Sequence, residues 1–331
     1  MSTQYSHLTI QERERILLFL GKGLSIRAIA KYLNRQPSTI SHELKRNPKD
    51  YSPDRAQRRA KRERKNSRLG KLKIFSNPLI YNYVFSKLEE GWSPEQIAGR
   101  IKKDLDFSIV HETIYQFIYS YFGRKYNLPK LLRRNHSVRR KRQPGGRKEK
   151  RGRIPNRIDI SLRPKGVELR KKVGHWEGDT LIGKGRRFGI ITLVERKTKY
   201  LIADLLKAKE ASLTSKTIIK SLNRLPRVAR QTITFDNGLE FAEHEKITQQ
   251  IGIKCFFAEP YSAWQRGTNE NTNGLVRWYI PKGTNLKELD NSTLKAIVET
   301  LNNRPRKCLK YSTPKEVLEQ ELNQSKCCTS G

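Results

Sequence analysis

Three acidic residues in the C-terminal half of this 331-residue chain stand where a carboxylate needs a reason. Asp179 lies in the middle of the strand-like GHWEGDTLIG (174–183), and Asp236 directly follows the short strand pattern TITF (232–235). Glu270 falls in QRGTNENTNGLVRWY, which reads as a helix start after Pro260. Acidic side chains are disfavoured in strand interiors. Hard divalent cations supply a reason: Mg²⁺ or Mn²⁺ takes oxygen ligands, and two ions about 4 Å apart can activate a nucleophile and stabilise a leaving oxygen in phosphoryl transfer. Taken singly, each residue is ordinary, and Asp236-Asn237-Gly238 is a common turn sequence. Glu177 competes with Asp179, because two residues along a strand share a face and spacing alone admits either. Glu240 and Glu259 read as structural supports. His175, on the same face, reads as a hydrogen-bonded strand histidine.

The elements that must position these groups follow from the pattern around them. GHWEGDTLIG, RFGIITLVE (187–195) and YLIADLL (200–206) read as an antiparallel meander, the last two joined by the RKTK turn. Residues 210–225 carry helical spacing, 240–251 a second helix and IKCFF (253–257) a fifth strand. A mixed five-stranded sheet flanked by helices is predicted. GKGRRFG (183–189) fits a hairpin better than a phosphate loop, since GxxxxGK[ST] is absent, and no nucleotide cofactor is expected.

Charge points to the partner. The chain holds 69 Lys and Arg against 32 Asp and Glu, a net of +37. Such a surface calls for a polyanion, with nucleic acid the default. No apolar run is long enough to cross a bilayer, and the N-terminus lacks a signal-peptide pattern, so a cytoplasmic, nucleoid-associated protein is expected, without a membrane partner. The four cysteines lack zinc-ligand or disulfide spacing and read as unpaired thiols. The excess is uneven: residues 1–157 hold 38 basic and 13 acidic residues, the remainder 31 and 19. Residues 55–73 carry ten Lys and Arg, and residues 133–157 carry twelve, including Arg139, Arg140, Lys141 and Arg142, in a flexible basic linker expected to track phosphates.

The first 50 residues hold three helical patterns, Thr9 to Leu20, Ser25 to Leu33 and Pro37 to Arg46. They open on a Thr9/Glu12 capping box, a Ser25 cap and a Pro at a first helical position. Ile16, Leu17, Leu20, Ile26, Ile29, Ala30, Leu33, Ile40 and Leu44 would share one core, a helix-turn-helix pattern. The third helix would then present Ser38, Thr39, His42, Lys45 and Arg46 to a DNA groove. A looser second version, WSPEQIAGRIKKDLDFSIVHETIYQFIYSYF (92–122), opens on a Ser93/Gln96 capping box. It buries Ile97, Ile101, Ile114, Ile118 and a Phe117/Tyr121 pair and offers His111 and Gln116, with Glu112 and Tyr115, to solvent. A dimer contact suits it as well as base reading, because Glu112 would repel phosphate.

GHWEGDTLIG with TLVERKT, TFDNGLEFAEH, AEPYSAWQRGTNENTNGLVRWYIPKG and LNNRPRKCLKYSTPKEVL resemble the signatures of the insertion sequence 30 family of bacterial DDE transposases, in the integrase-core superfamily. The likeness runs from the first helix-turn-helix to about Leu318, with 33 residues between Asp236 and Glu270. It implies that Asp179, Asp236 and Glu270 are the catalytic, metal-binding triad on an α/β RNase H-like core, holding two Mg²⁺ or Mn²⁺ ions. It also implies cleavage of element ends and transfer of the 3′-OH into target DNA. The partners would be double-stranded DNA, as terminal inverted repeats and target, and at least a second copy of the chain, since two ends are joined. Asn273 and Arg277, three and seven residues beyond Glu270, and Lys282 after the Pro281 break would hold DNA beside the metals. VRWYIPKG is unusual in carrying Trp278. A sequence-specific DNA-binding regulator, or a nuclease that hydrolyses without joining, are the alternatives.

The chain is thus expected to be multidomain: a helix-turn-helix domain (1–54), a basic connector (55–73), a second helical domain (74–132), the basic linker (133–157), the α/β core (158–324) and a disordered tail (325–331).

Overall fold

The computed structural model describes residues 6–46, 50–69, 74–75, 77–132, 154–185, 187–259 and 262–327. Arg139, Arg140, Lys141 and Arg142 lie outside them. The chain divides between Tyr83 and Val84 into two compact units, inside the segment expected to form the second helical domain.

In the first unit, α1 (Ile10–Gly21) opens on the Thr9/Glu12 capping box, with Glu12 N donating to Thr9 Oγ1 and Thr9 N to Glu12 Oε2. Ser25 caps α2 (Ile26–Tyr32), and Pro37 starts α3 (Pro37–Lys45). Gly23, at φ +72°, makes the tight reversal between α1 and α2 that a side chain would strain. Ile16, Ile29, Ala30, Leu33 and Ile40 form the core, with Leu8 added from the N-terminal side. Leu17 and Ile26, expected inside, are exposed. The inward face of α1 runs through positions 13, 16 and 20, at helical spacing, so Leu17 turns to the flank. Position 13 is an arginine: Arg13 and Glu43 of α3 are both buried, 2.6 Å apart. Arg13 also donates to Leu8 O and to Gln57 Oε1 of α4 (Pro53–Leu69). Residues 55–69 of the basic run are therefore helical and packed through Ala56 onto this unit.

The helix α5 (Pro78–Glu89) spans the division between the units. In the second unit, α6 (Pro94–Leu105), α7 (His111–Ile118) and α8 (Tyr121–Lys125) precede the sheet. Ile97, Ile101, Ile114, Phe117 and Ile118 are buried as expected, but Tyr121 is exposed, because α7 stops at Ile118 and Ser120 caps a new helix. These helices are docked on the C-terminal segment. Arg100 donates from both terminal nitrogens to Glu316, at 2.8 and 2.7 Å, and Gln96 Nε2 donates to Pro305 O at 2.6 Å. Trp278 covers Gly91, where a Cβ would run into the indole.

The sheet comprises β1 (His175–Ile182), β2 (Gly189–Glu195), β3 (Leu201–Leu206), β4 (Thr232–Phe235) and β5 (Lys254–Phe257), in spatial order β3-β2-β1-β4-β5. The first three form the antiparallel meander, and β1, β4 and β5 run parallel. Helices α9 (Ala211–Leu222) and α10 (His244–Ile251) cover one face through Ile218, Leu222, Ile247 and Ile251, against Trp176, Leu193, Ile233 and Phe235. Helices α11 (Gly267–Tyr279) and α12 (Asn291–Asn302) cover the other through Leu275, Val276, Leu294 and Leu301. Buried Glu195 closes the RKTK turn, accepting from Lys197 N at 2.8 Å, Thr198 N at 2.6 Å and, across the sheet, Gly174 N at 3.1 Å. The last helix, α13, spans Pro314–Cys327, so residues 325–327 are helical rather than disordered; 328–331 lie outside the described residues.

Candidate active site and nucleic-acid interface

Alternation along β1 sends Trp176 to one core and turns Glu177, Asp179 and Leu181 toward α11. On the parallel neighbour, Glu177 pairs with Thr234. Two residues further along, the same register brings Asp179, in the middle of β1, beside Asp236, just past the carboxyl end of the parallel β4, where open α/β sheets hold ligands. Gly178 permits this closeness, since a Cβ there would run into the Phe235 ring. Asp236 Oδ1 accepts from Gly238 N at 3.0 Å, which fixes the turn. Its Oδ2 lies 3.6 Å from Arg266 Nη2, while Arg266 Nη1 lies 3.5 Å from Asp179 Oδ1. One guanidinium thus spans both aspartates.

Arg266, Glu270, Asn273 and Arg277 follow one another at four, three and four residues, one stripe along α11 and the turn before it. Asn273 Nδ2 donates to Asp179 Oδ2 at 2.7 Å, and its Oδ1 accepts from Thr192 Oγ1 of β2 at 2.9 Å. Asn273, expected to hold DNA, is instead turned inward and buried. Arg277 Nη2 donates to Ile182 O at 2.8 Å, bracing the end of β1. Lys282 is exposed, as is Glu270. Asp179 and Asp236 are brought together, whereas Glu270 stays outside the pair. Among the described residues no three His, Cys, Asp or Glu side chains gather closely enough to hold a metal ion.

The choice that spacing left open is legible in the burial. Glu177 is fully buried, its Oε2 accepting from Asn269 N in the first turn of α11 at 2.9 Å, with Arg196 3.6 Å away. It anchors the helix N-terminus to the sheet. Asp179 keeps a quarter of its side chain exposed. Burial, with the nearby Asp236, pushes the Asp179 carboxyl above its ordinary range, against the pull of Arg266. His175 Nδ1 lies 2.9 Å from Thr232 Oγ1, and burial together with Arg196, Arg163 and Lys172 lowers its pKa, so the ring is neutral at physiological pH. Glu240 is buried against Lys209 at 2.9 Å, and Glu259 lies 3.5 Å from Ser262 Oγ. Arg266 is the residue that sequence reading missed. Extending the Glu270, Asn273, Arg277 spacing one step toward the N-terminus would have found it.

In the first unit, Ser38, Thr39, His42 and Arg46 of the α3 segment face Ala60, Glu63 and Arg64 of α4 across a cleft of about 460 Å³. Ser38, His42, Lys45 and Arg46 are exposed and Thr39 partly so. In the second unit His111 and Gln116 are exposed on α7, while Tyr115 leans onto Glu95, its hydroxyl donating at 3.1 Å.

The family described as "Helix-turn-helix domain" matches residues 4–47. The chain is 40% identical over 323 residues, 96% of its length and 97% of the relative's, to the transposase for insertion sequence element IS4351 of Bacteroides fragilis. It is 41% identical over 327 residues to the transposase InsI for IS30A of Escherichia coli K12, covering 95% of this chain and 84% of that one. It is 37% identical over 330 residues to the transposase for IS1086 of Cupriavidus metallidurans, covering 97% and 96%. A helix-turn-helix joined in one chain to this α/β unit makes a DNA-binding protein of the transposase class. More particularly, the chain belongs to the IS30 family of transposases.

Proposed function

We propose that the chain binds the terminal inverted repeats of its own insertion sequence through the first helix-turn-helix. On an RNase H-like core it then cleaves the element ends and joins their 3′-OH groups to target DNA. The observation that carries this reading is the placement of Asp179, in the middle of β1, and Asp236, just past the end of the parallel β4, on either side of one cation, under the stripe that bears Glu270. The two carboxylates already converge on a positive group, the guanidinium standing where a divalent cation would be held, so the donor set fits hard cations. Asp179 and Asp236 would hold Mg²⁺ or Mn²⁺, with Glu270 completing the set for a second ion. Bound there, the ions supply charge neutralisation and nucleophile activation for phosphoryl transfer. The chain's own part is positional. Asn273 orients Asp179, the Gly238 amide orients Asp236, and Glu177 seats the helix that carries Glu270. At least two copies act together on a pair of ends.

Labelled terminal-repeat DNA and a target plasmid test this directly. Wild-type protein with Mg²⁺ should yield joined products, and Asp236→Asn should lose cleavage and joining by at least about a hundredfold while keeping end binding. Nicked but never joined products would favour a nuclease, and end binding without nicking a regulator.

A further inference from the structure

The contacts of Arg266 with its carboxylates are longer than those of two ion pairs that brace this chain, and they match the 3.6 Å between Arg196 and Glu177. Unlike Arg196, which also meets Glu168 at 3.0 Å, Arg266 has no short carboxylate contact among the described residues. Arg13 meets Glu43 at 2.6 Å, and Arg100 grips Glu316 at 2.8 and 2.7 Å. Arg266 stands 3.5 and 3.6 Å from its two carboxylates, and its closest polar contact is to a backbone oxygen, Gly178 O, at 3.1 Å. Its Nε is buried with no hydrogen-bond partner among the described residues. The guanidinium therefore offsets part of two negative charges without the short, directional bonds that make an arginine–carboxylate pair strong. Without a counter-charge between them, two neighbouring carboxylates repel each other. A group needed for its charge and held by few bonds is readily exchanged for another cation.

We infer that Arg266 is a placeholder cation: it holds Asp179 and Asp236 in register in the metal-free protein, and it leaves the space between them when a divalent cation enters. The inference rests on the proposed metal reading of these aspartates. Arg266 thereby sets metal affinity from outside the ligand set, as a positioning residue that competes with the ion. The site is preformed before metal arrives, and metal loading is an exchange of one positive charge for a greater one.

The test is Mn²⁺ binding to the full-length, DNA-free protein, followed by titration calorimetry, together with melting in the presence and absence of Mn²⁺. Arg266→Gln removes the competitor and should bind Mn²⁺ on the order of tenfold more tightly than wild type, the effect of losing two partly screened ion pairs. It should also melt lower without metal and gain more from Mn²⁺. Arg266→Lys retains a charge that cannot span both carboxylates, so its affinity should fall between the two. This variant carries the test if the glutamine variant does not fold. An affinity that is unchanged or weaker in these variants would make Arg266 a fixed strut and overturn the inference. Asp236→Asn separates the two levels of failure. If wild type binds Mn²⁺ in an Asp236-dependent way and the Arg266 variants bind no tighter, the placeholder role alone is lost. If Asp236→Asn binds Mn²⁺ as wild type does, the metal reading falls and takes the inference with it.

Discussion

Asn273 Nδ2 donates to Asp179 Oδ2 at 2.7 Å while its Oδ1 accepts from Thr192 at 2.9 Å, so one amide fixes the orientation of a strand carboxylate from the helix above it. The amide's two ends have opposite polarity, and each is matched to its partner. Asn273→Ala removes the donor that holds Asp179. Partners that orient metal-binding groups typically account for 10- to 100-fold in affinity or activity. Cleavage of end DNA and Mn²⁺ affinity should both fall by roughly that factor, with band shifts on terminal-repeat DNA unchanged. A loss of end binding instead would return Asn273 to the DNA-contact role first expected of it.

Glu177 and Asp179 share a strand face yet should respond oppositely to truncation. Glu177 is fully buried beside Arg196, whose Nε and Nη1 have no hydrogen-bond partner among the described residues, and it accepts from the first turn of α11. Glu177→Ala removes the acceptor that seats Asn269 N and leaves Arg196 paired with Glu168 alone among the described residues, at 3.0 Å, a change that costs about 1–3 kcal/mol. For a unit of this size the melting temperature should drop by roughly 2–12 °C. Asp179→Ala removes a partly exposed carboxylate from a pair of like charges and should leave the melting temperature within a few degrees. Thermal scans by tryptophan fluorescence suit the comparison, because Trp92, Trp176, Trp264 and Trp278 all lie in the second unit.

What the sequence made legible was local. The capping boxes at Thr9 and Ser93, the strand alternation around Asp179 and the turn after TITF all depend on neighbours within a few residues, and they appear in the structure where they were read. The juxtaposition of Asp179 with Asp236 depends on β1 pairing in parallel with a strand some fifty residues later, which no local pattern states. Leu17 was misread because its apolar spacing was complete without asking whether a charge would take the inward position, as Arg13 does. Asn273 was assigned to DNA from the family resemblance and its spacing from Glu270, and only the position of Thr192 and Asp179 beneath it turns it inward. Arg266 carries no signal of its own beyond its register with Glu270.

The Arg13–Glu43 pair ties α3 to α1, and through Gln57 to α4. Both side chains are almost wholly buried, so removing Glu43 leaves the Arg13 charge buried with only the neutral acceptors Leu8 O and Gln57 Oε1 among the described residues. Glu43→Ala should destabilise the first unit by about 3–5 kcal/mol and abolish binding to terminal-repeat DNA. The paired replacement Arg13→Met with Glu43→Leu, which removes both charges and keeps the volume, should recover most of that loss. Circular dichroism melts and band shifts on the single and double variants check it; a double variant no better than Glu43→Ala would mean that the pair's geometry, rather than its charge balance, holds α3.

The docking of α6 on the C-terminal segment should be sensitive to acid. Hydrogen bonds from Arg100 hold the Glu316 carboxyl down to about 2, well below its ordinary range, with Thr313 N and Lys103 assisting. A folded-state pKa below the unfolded one stabilises the fold in full above the unfolded value, near 4.3, and the contribution is lost as pH falls from there toward about 2. Because Glu316 is nearly a third exposed, screening limits that contribution to roughly 1–2 kcal/mol. Urea melts followed by tryptophan fluorescence should show Glu316→Gln less stable than wild type by about that amount at pH 7, with the two curves converging as pH approaches 2.5. A gap that stays constant across this range would mean that Arg100 gains nothing from the carboxylate's charge, and that the helix is seated by packing of Gly99 against Tyr311 and of Gly91 under Trp278.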